Sequence, residues 1–314
     1  MSEYSKKFPL YIVSPDEIPP LLKETPYPPK KLYARGKLPW VDGRTDQNKS
    51  GEKNEIKFLS VVGSRAYTSY GEEACKKLIA GLCGYNICIV SGLALGIDSI
   101  AHHSALEAGL LSVAVPGSGL DPRVLYPRTN TRLAEKILEA GGAIISEEDP
   151  MYRATPYSFP KRNRIMAGMS HAVLVIEAEL KSGTLITSKY ATDYNRDVLT
   201  VPGSIFSRKS AGPHMLIRLG ATPVCTSEDI LEALGFNIEK ENSQKNKPTQ
   251  KTLALCTPDE RAVIETLAEP MTRDALIRAV AEKLGRPISE INSLLVMMEI
   301  KELIVEKMGE IWVV

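Results

Sequence analysis

The sequence predicts an α/β protein: a mainly parallel sheet with helices on both faces, followed by a small, mostly helical domain toward the C-terminal end. Three observations predict it. Between residues 56 and 236, six short apolar runs rich in β-branched residues alternate with segments of helix length. The runs are apolar on both faces instead of alternating, which is the pattern of strands buried inside a parallel sheet. A polar stretch at 237–252, almost without apolar residues, then separates this region from a second one with helical periodicity.

Residues 1–55 are Pro-rich and charged; "IPPLLKETPYPPKKLYARG" reads as an irregular packed lead-in and "DGRTDQNKSGEKNE" as a flexible loop. The strands that follow are "FLSVVG" (58–63), "NICIVSG" (86–92), "LSVAVPG" (111–117), "AIISE" (143–147), "AVLVIEA" (172–178) and "DVLTVPG" (197–203). Amphipathic segments near 71–83, 97–109, 131–140, 160–169, 184–195 and 211–219 are the helices between and after them. Strand, helix, strand repeated this often makes residues 56–236 an extended Rossmann-like core. Beyond the linker at 237–252, "PDERAVIETLAE" (258–269), "TRDALIRAVAEKLG" (272–285) and "ISEINSLLVMMEIKE" (288–302) read as three helices. "LIVEKMGEIWVV" (303–314) adds two short strands around a Met-Gly turn, so 253–314 has the pattern of a winged-helix domain.

Composition excludes several classes. The formal net charge of +1 leaves no uniformly basic coat, so a polyanion site would have to be a local concentration of cations. The longest apolar runs are strand-sized, and "MSEYSKKFPLYIV" lacks the core and cleavage site of an export signal, which points to a cytoplasmic protein without membrane contact. Cys75, Cys83, Cys88, Cys225 and Cys256 show no Cys-x-x-Cys pairing and are expected to be reduced thiols with no metal role.

In a parallel sheet the strand exits open on one edge, where ligands bind. Five exits carry glycine: "GSR" (63–65), "SGLALGID" (91–98), "PGSGLD" (116–121), "SGT" (182–184) and "VPGS" (201–204). Their backbone N–H groups, with the helix N-termini behind them, favour an anion. "PGSGLDP" does not complete a dinucleotide fingerprint, because Pro122 stands where the third glycine belongs, and there is no Gly-x-x-x-x-Gly-Lys-[Ser/Thr] sequence, so neither NAD nor a P-loop nucleotide is indicated. "FPKRNR" concentrates Lys161, Arg162 and Arg164 at a helix start beside Phe159. Neighbours on a helix differ by about 100°, so one or two of the cations should reach the crevice, with Asn163 bracing backbone. Arg65 joins them from the first glycine turn. Aromatic platform plus guanidinium is the combination used for single-stranded nucleic acid. Salt bridges for the arginines and a core position for Phe159 are the alternative. Asp98 and His102, at i and i+4, fit either acid–base chemistry or a helix-start carboxylate packed on a histidine.

The motifs "VVGSR", "IVSGLALGIDSIAHHSALEAG", "VAVPGSGLDPRVLYPRTN", "ISEE", "FPKRNRIMAGMS", "VIEAELKSGTLITSKYA" and "VPGSIFSRKSAGPHMLI" resemble, in order and spacing, the DprA/Smf family of DNA-processing proteins. The resemblance is dense over about 56–234 and extends to "PPKKLYARG". It implies a protein that binds and protects single-stranded DNA and loads a RecA-type recombinase onto it during natural transformation. It further implies a homodimer formed through the Rossmann-like domain, no catalytic activity and no cofactor. The implied DNA site comprises Gly63, Ser64, Arg65, Phe159, Lys161, Arg162, Asn163 and Arg164, with Gly117, Ser118, Ser182, Gly183 and Thr184 lining the crevice.

The rival is a nucleotide-binding or phosphoribohydrolase-like enzyme of the same Rossmann-like superfamily, the hydrolase needing a "PGGxGTxEE" loop. Here "KSGTLIT" keeps Gly183 and Thr184 but has Ile186 and Thr187 in place of the glutamates, so the charge partner of an oxocarbenium-like transition state is missing. From Thr257 to Val314 seven bases stand against eleven acids, a net of −4. Phosphate contacts dominate DNA affinity, so this domain is expected to contact protein instead of DNA. "GPHMLIRLGA" (212–221) fits a dimer surface and an ordinary buried helix equally.

Overall fold

The computed structural model describes residues 3–41, 55–236, 257–267, 271–301, 303–307 and 310–313. Two compact units divide the chain at Phe236 and Asn237. The expectations for the polar run after "YARG" and for the linker at 237–252 lie outside the described residues.

Among the described residues the first unit carries nine strands: β1 (Tyr11–Val13), β2 (Leu32–Gly36), β3 (Lys57–Val62), β4 (Ile87–Ser91), β5 (Leu111–Ala114), β6 (Ala143–Ser146), β7 (Ala172–Val175), β8 (Asp197–Thr200) and β9 (Thr222–Pro223). Its helices are α1 (Glu3–Lys7), α2 (Pro20–Lys23), α3 (Ser69–Ala80), α4 (Ile97–Glu107), α5 (Thr131–Glu139), α6 (Ser158–Met169), α7 (Thr184–Asp193), α8 (Ala211–Arg218) and α9 (Ser227–Ala233). The spatial order is β1-β2-β6-β5-β4-β3-β7-β8-β9, and every pair from β6 to β9 is parallel. From β3 to β6 the chain steps in one direction; it then crosses through α6 to the other side of β3 and steps the opposite way through β7, β8 and β9. Because crossovers are right-handed, that reversal puts the two helix sets on opposite faces. It also makes the gap between the β3 and β7 exits the topological switch point, where such sheets bind ligands.

Residues 3–41 depart from the expected irregular lead-in. Strands β1 and β2 extend the sheet antiparallel beyond β6, with Tyr33 opposite Ser146 and Arg35 opposite Ile144. Arg35 is buried because its Nε donates to the Leu120 carbonyl at 2.9 Å and its guanidinium also reaches the Phe8 carbonyl. A charged residue can stand in a covered strand only when its donors are satisfied in this way.

Strands β4 to β7 are buried along their length, except that Leu111 opens β5 half-exposed. One core cluster joins Val62, Val90, Val113 and Val175 from the sheet to Ile165, Met166 and Met169 of α6, which places α6 firmly over the central strands. Helix α3 starts where Thr68 caps it, its Oγ1 accepting from Gly71 N at 3.2 Å. Glu177, buried just past β7, accepts from Thr68 N at 2.9 Å and Thr68 Oγ1 at 2.5 Å. That carboxylate is therefore spent on fixing the entry of α3.

The second unit holds helices Pro258–Thr266, Arg273–Leu284 and Ile288–Ile300. Strands Ile304–Lys307 and Glu310–Val313 pair antiparallel, and Met271–Thr272 adds a third strand against the latter. Val263, Leu276, Leu295 and Met298 are at its core. A capping box between Thr257 and Glu260 starts the first helix, and Lys301 reaches Glu260 at 2.7 Å.

Candidate nucleic-acid interface

A crevice of about 480 Å³ opens at the switch point. Its walls come from the β3 exit (Gly63 to Ala66), the start of α4 (Asp98), the first turn of α6 (Phe159, Pro160, Arg162 and Asn163), the β7 exit (Glu179 and Lys181 to Thr184) and Lys209. Segments far apart in the chain meet here for a topological reason: all are strand exits or helix starts on one edge.

Close packing sets the loop geometry. A Cβ on Gly63 would come within 2.7 Å of Ile97, so glycine lets α4 lie against the β3 turn. Thr184 Oγ1 donates to the Gly63 carbonyl at 3.1 Å, and Asn163 Nδ2 donates to the Gly183 carbonyl at 3.3 Å, tying the α6 and β7 walls to the β3 exit. Ser182 Oγ donates to Thr184 Oγ1 at 3.0 Å and accepts from Thr184 N at 3.2 Å. Ser64 Oγ closes its own turn on Ala66. Gly183 has open space where a side chain would stand, so its backbone is exposed to the crevice.

The cations divide. Arg65 is exposed, makes no hydrogen bond or ion pair among the described residues, and lays its guanidinium over the Phe159 ring, 5.1 Å from the centroid. Arg162 forms part of the crevice wall but is buried: Nη1 donates to the Gly92 carbonyl at 2.6 Å and to that of Val115, and Nε donates to Asn163 Oδ1 at 3.1 Å. Burial pulls its pKa down to about 10, Asp98 raising it and Arg65 adding to the fall. Lys161 and Arg164 are not brought to the crevice. Lys161 pairs with Glu148 at 2.9 Å and Glu147 at 3.4 Å, and Arg164 pairs with Glu147 at 2.5 Å and donates to the Tyr27 carbonyl. Helical spacing turns them away from Arg162, and the carboxylates just past β6 hold them there.

Gly117 and Ser118 also stand off the crevice. Gly117 seats the Phe159 ring, which a Cβ would approach to 2.6 Å. Ser118 is fully buried; its Oγ accepts from Tyr126 N at 3.1 Å and its carbonyl accepts from Ser146 Oγ at 2.8 Å.

Four charged crevice residues lie outside the DNA site expected from the sequence: Asp98, Glu179, Lys181 and Lys209. Lys181, next to the "SGT" turn, could have been found from that adjacency; Lys209 comes from a different loop and could not. With Arg65 and Arg162 these give four cations against two carboxylates, a net of +2 on the walls. Glu179 is paired to Lys209 at 2.6 Å, which holds its pKa below the usual range. Asp98 Oδ2 accepts from Gly92 N at 3.1 Å and Ala94 N at 3.4 Å; burial raises its pKa, opposed chiefly by Arg162. A Cβ on Gly92 would collide with both Asp98 and Arg162. His102 turns instead to Ser112, Nδ1 to Oγ 2.7 Å, so Asp98 and His102 each have other partners and form no acid–base dyad. Among the described residues no group of three or more His, Cys, Asp or Glu could hold a metal, and Cys75, Cys83, Cys88 and Cys225 are free thiols.

Sheet, switch point and crevice define an open, doubly wound α/β protein with a cationic site at its strand exits. The sequence model of the family described as DNA recombination-mediator protein A matches residues 10–235, and the chain belongs to that family. It is 40% identical over 247 residues to Protein Smf of Escherichia coli K12, covering 77% of this chain and 64% of that protein. It is 38% identical over 238 residues to DNA processing protein DprA of Streptococcus pneumoniae R6, covering 75% of this chain and 78% of that one. The chain thus spans less than two thirds of its Escherichia coli relative. Among solved structures, DprA from Streptococcus pneumoniae superposes with a TM-score of 0.63 at 37% identity, over 74% of this chain and 76% of that one. DNA processing protein A from Helicobacter pylori, studied for its single-stranded DNA binding mode, superposes with a TM-score of 0.61 at 27% identity, over 72% and 96% of the two chains.

Proposed function

We propose that this chain binds single-stranded DNA along the crevice, protects it, and presents it to a RecA-type recombinase in natural transformation. The observation that carries the reading is Arg65: a guanidinium with no ion pair among the described residues, laid over an aromatic ring at the mouth of a site with net positive walls. Phosphates take the guanidinium, bases take aromatic faces, and sequence plays little part. The relatives named for DNA processing, and the Helicobacter pylori protein studied for single-stranded DNA binding, support the same reading. In this reading the protein acts in the cytoplasm as a homodimer without a cofactor, and the crevice carboxylates position cations. No helix among the described residues is long and apolar enough to cross a membrane. The second unit is a winged helix that, with its net of −4 from Thr257 to Val314, contacts protein; tight duplex binding by the segment 253–314 would sink that assignment.

The test is a salt titration of equilibrium binding to single-stranded and duplex oligonucleotides of equal length by the full chain. Single strands should win at every salt concentration. Arg65→Ala should weaken binding for all base orders and reduce the steepness of log K against log salt by about 0.7, one phosphate contact on a single strand. No binding at low salt, or an unchanged Arg65→Ala, would overturn the assignment.

A further inference from the structure

The Arg65–Phe159 pair has two sides. One faces the crevice; the other faces a shallow notch of about 30 Å³ bounded by Gly92, Leu95, Tyr126 and Pro127. Leu95 is 49% exposed and Tyr126 is 45% exposed, and both large apolar side chains line the notch. The Tyr126 ring lies 5.8 Å from the Phe159 ring, tilted by 48°. Its hydroxyl makes no hydrogen bond among the described residues, while its backbone is fixed by Tyr126 N donating to the buried Ser118 Oγ at 3.1 Å. The ring thus stands on an anchored backbone with part of its surface bare. The notch holds on the order of one water, so a base cannot enter it and can only lie across it.

Resting on the single-strand reading above, we infer that Leu95, Tyr126 and the adjoining edge of Phe159 form a second base-stacking platform. Arg65, which borders both the crevice and the notch, grips the phosphate between a base on the crevice side and a base on the platform. Stacking accepts any base, because every base has a π-face, so the platform adds affinity without adding sequence preference. The same division of labour predicts different salt behaviour for the two residues. Removing a phosphate contact changes the steepness of the salt dependence; removing a stacking surface shifts the whole line and leaves its steepness alone.

The experiment is fluorescence anisotropy of a labelled oligothymidylate with the full-length protein across a salt series. Tyr126→Ala should bind roughly ten-fold more weakly at every salt concentration, with unchanged steepness. Tyr126→Phe keeps the ring and should bind like the wild type, and Leu95→Ala should show a smaller loss than Tyr126→Ala. Wild-type affinity in Tyr126→Ala, a flattened salt line in that variant, or an equal loss in Tyr126→Phe would each overturn the platform. Should Tyr126→Ala not fold, Leu95→Ala decides, and unchanged affinity there overturns it. Arg65→Ala, measured alongside, separates the two readings: if it too binds like the wild type, the crevice assignment fails, and if it alone is impaired, only the platform fails.

Discussion

Arg162→Ala should lower the melting temperature of the sheet-bearing unit by on the order of 10 °C, a far larger effect than any exposed crevice cation would give. The residue sits in the densest cluster of cations in the sequence, yet its fork is committed to the Gly92 and Val115 carbonyls and to Asn163 Oδ1. Truncation leaves two buried carbonyls without their donor, at about 1–3 kcal/mol each, and strips the buried Asp98 carboxylate of its main positive neighbour. Cavity formation adds to the loss. Lysine keeps the charge but, as a point donor on a flexible stem, cannot reproduce the planar fork, so Arg162→Lys should melt between the two. Calorimetry of the full chain checks this. A variant that melts with the wild type but loses single-strand affinity would make Arg162 a direct phosphate ligand. The expected result makes it the brace that holds the β4 and β5 exits in place beneath Arg65.

The strands of the parallel sheet are legible because burial on both faces demands continuous apolar runs. The same logic explains where the reading overshoots. "LSVAVPG" and "AVLVIEA" outlast β5 and β7 by three residues each, since Val115, Glu177 and Ala178 leave the ladder but stay buried under the exit loops. Apolar composition records burial, and the ladder is one way among several of being buried. Strands β1 and β2 escape notice because a Pro-rich, charged segment satisfies its polar groups only through distant partners, as Arg35 does with Leu120 and Phe8. The meeting of the β3, β4 and β7 exits follows from topology alone and is readable, although the exits at 116–121 and 201–204, expected to join them, do not line the crevice. Which cation faces the crevice is not, because that depends on Glu147 and Glu148 capturing Lys161 and Arg164 across a fold contact.

Acidification should destabilise the protein from about pH 6.5 downward, with His102 alone contributing up to roughly 5 kcal/mol by pH 3. His102 is fully buried on α4, its Nε2 has no hydrogen-bond partner among the described residues, and burial, aided by His103 and Arg162, depresses its pKa to about 3. Below its ordinary pKa the unfolded chain takes up a proton that the folded chain refuses, so stability is lost as the pH falls between those two values. Other groups titrate in the same window, Glu179 and Glu260 among them, each held low by a lysine partner and acting in the same direction at its acid end. His171 is depressed by burial and acts in the same direction, whereas Asp98, raised by burial, acts in the opposite one. The measurement is therefore a difference: urea unfolding of wild type and His102→Asn between pH 6.5 and 4.5, the asparagine keeping a polar partner for Ser112 Oγ. The wild type should lose about 1.4 kcal/mol per pH unit more than the variant. Because folded His102 stays neutral over this range, α4, whose Ile97 N–H donates to the Ser64 carbonyl at 3.2 Å, keeps the Arg65 turn in place. Single-strand affinity of the folded protein should therefore not track the His102-dependent loss of stability, and parallel unfolding curves for the two proteins would show that some other group titrates.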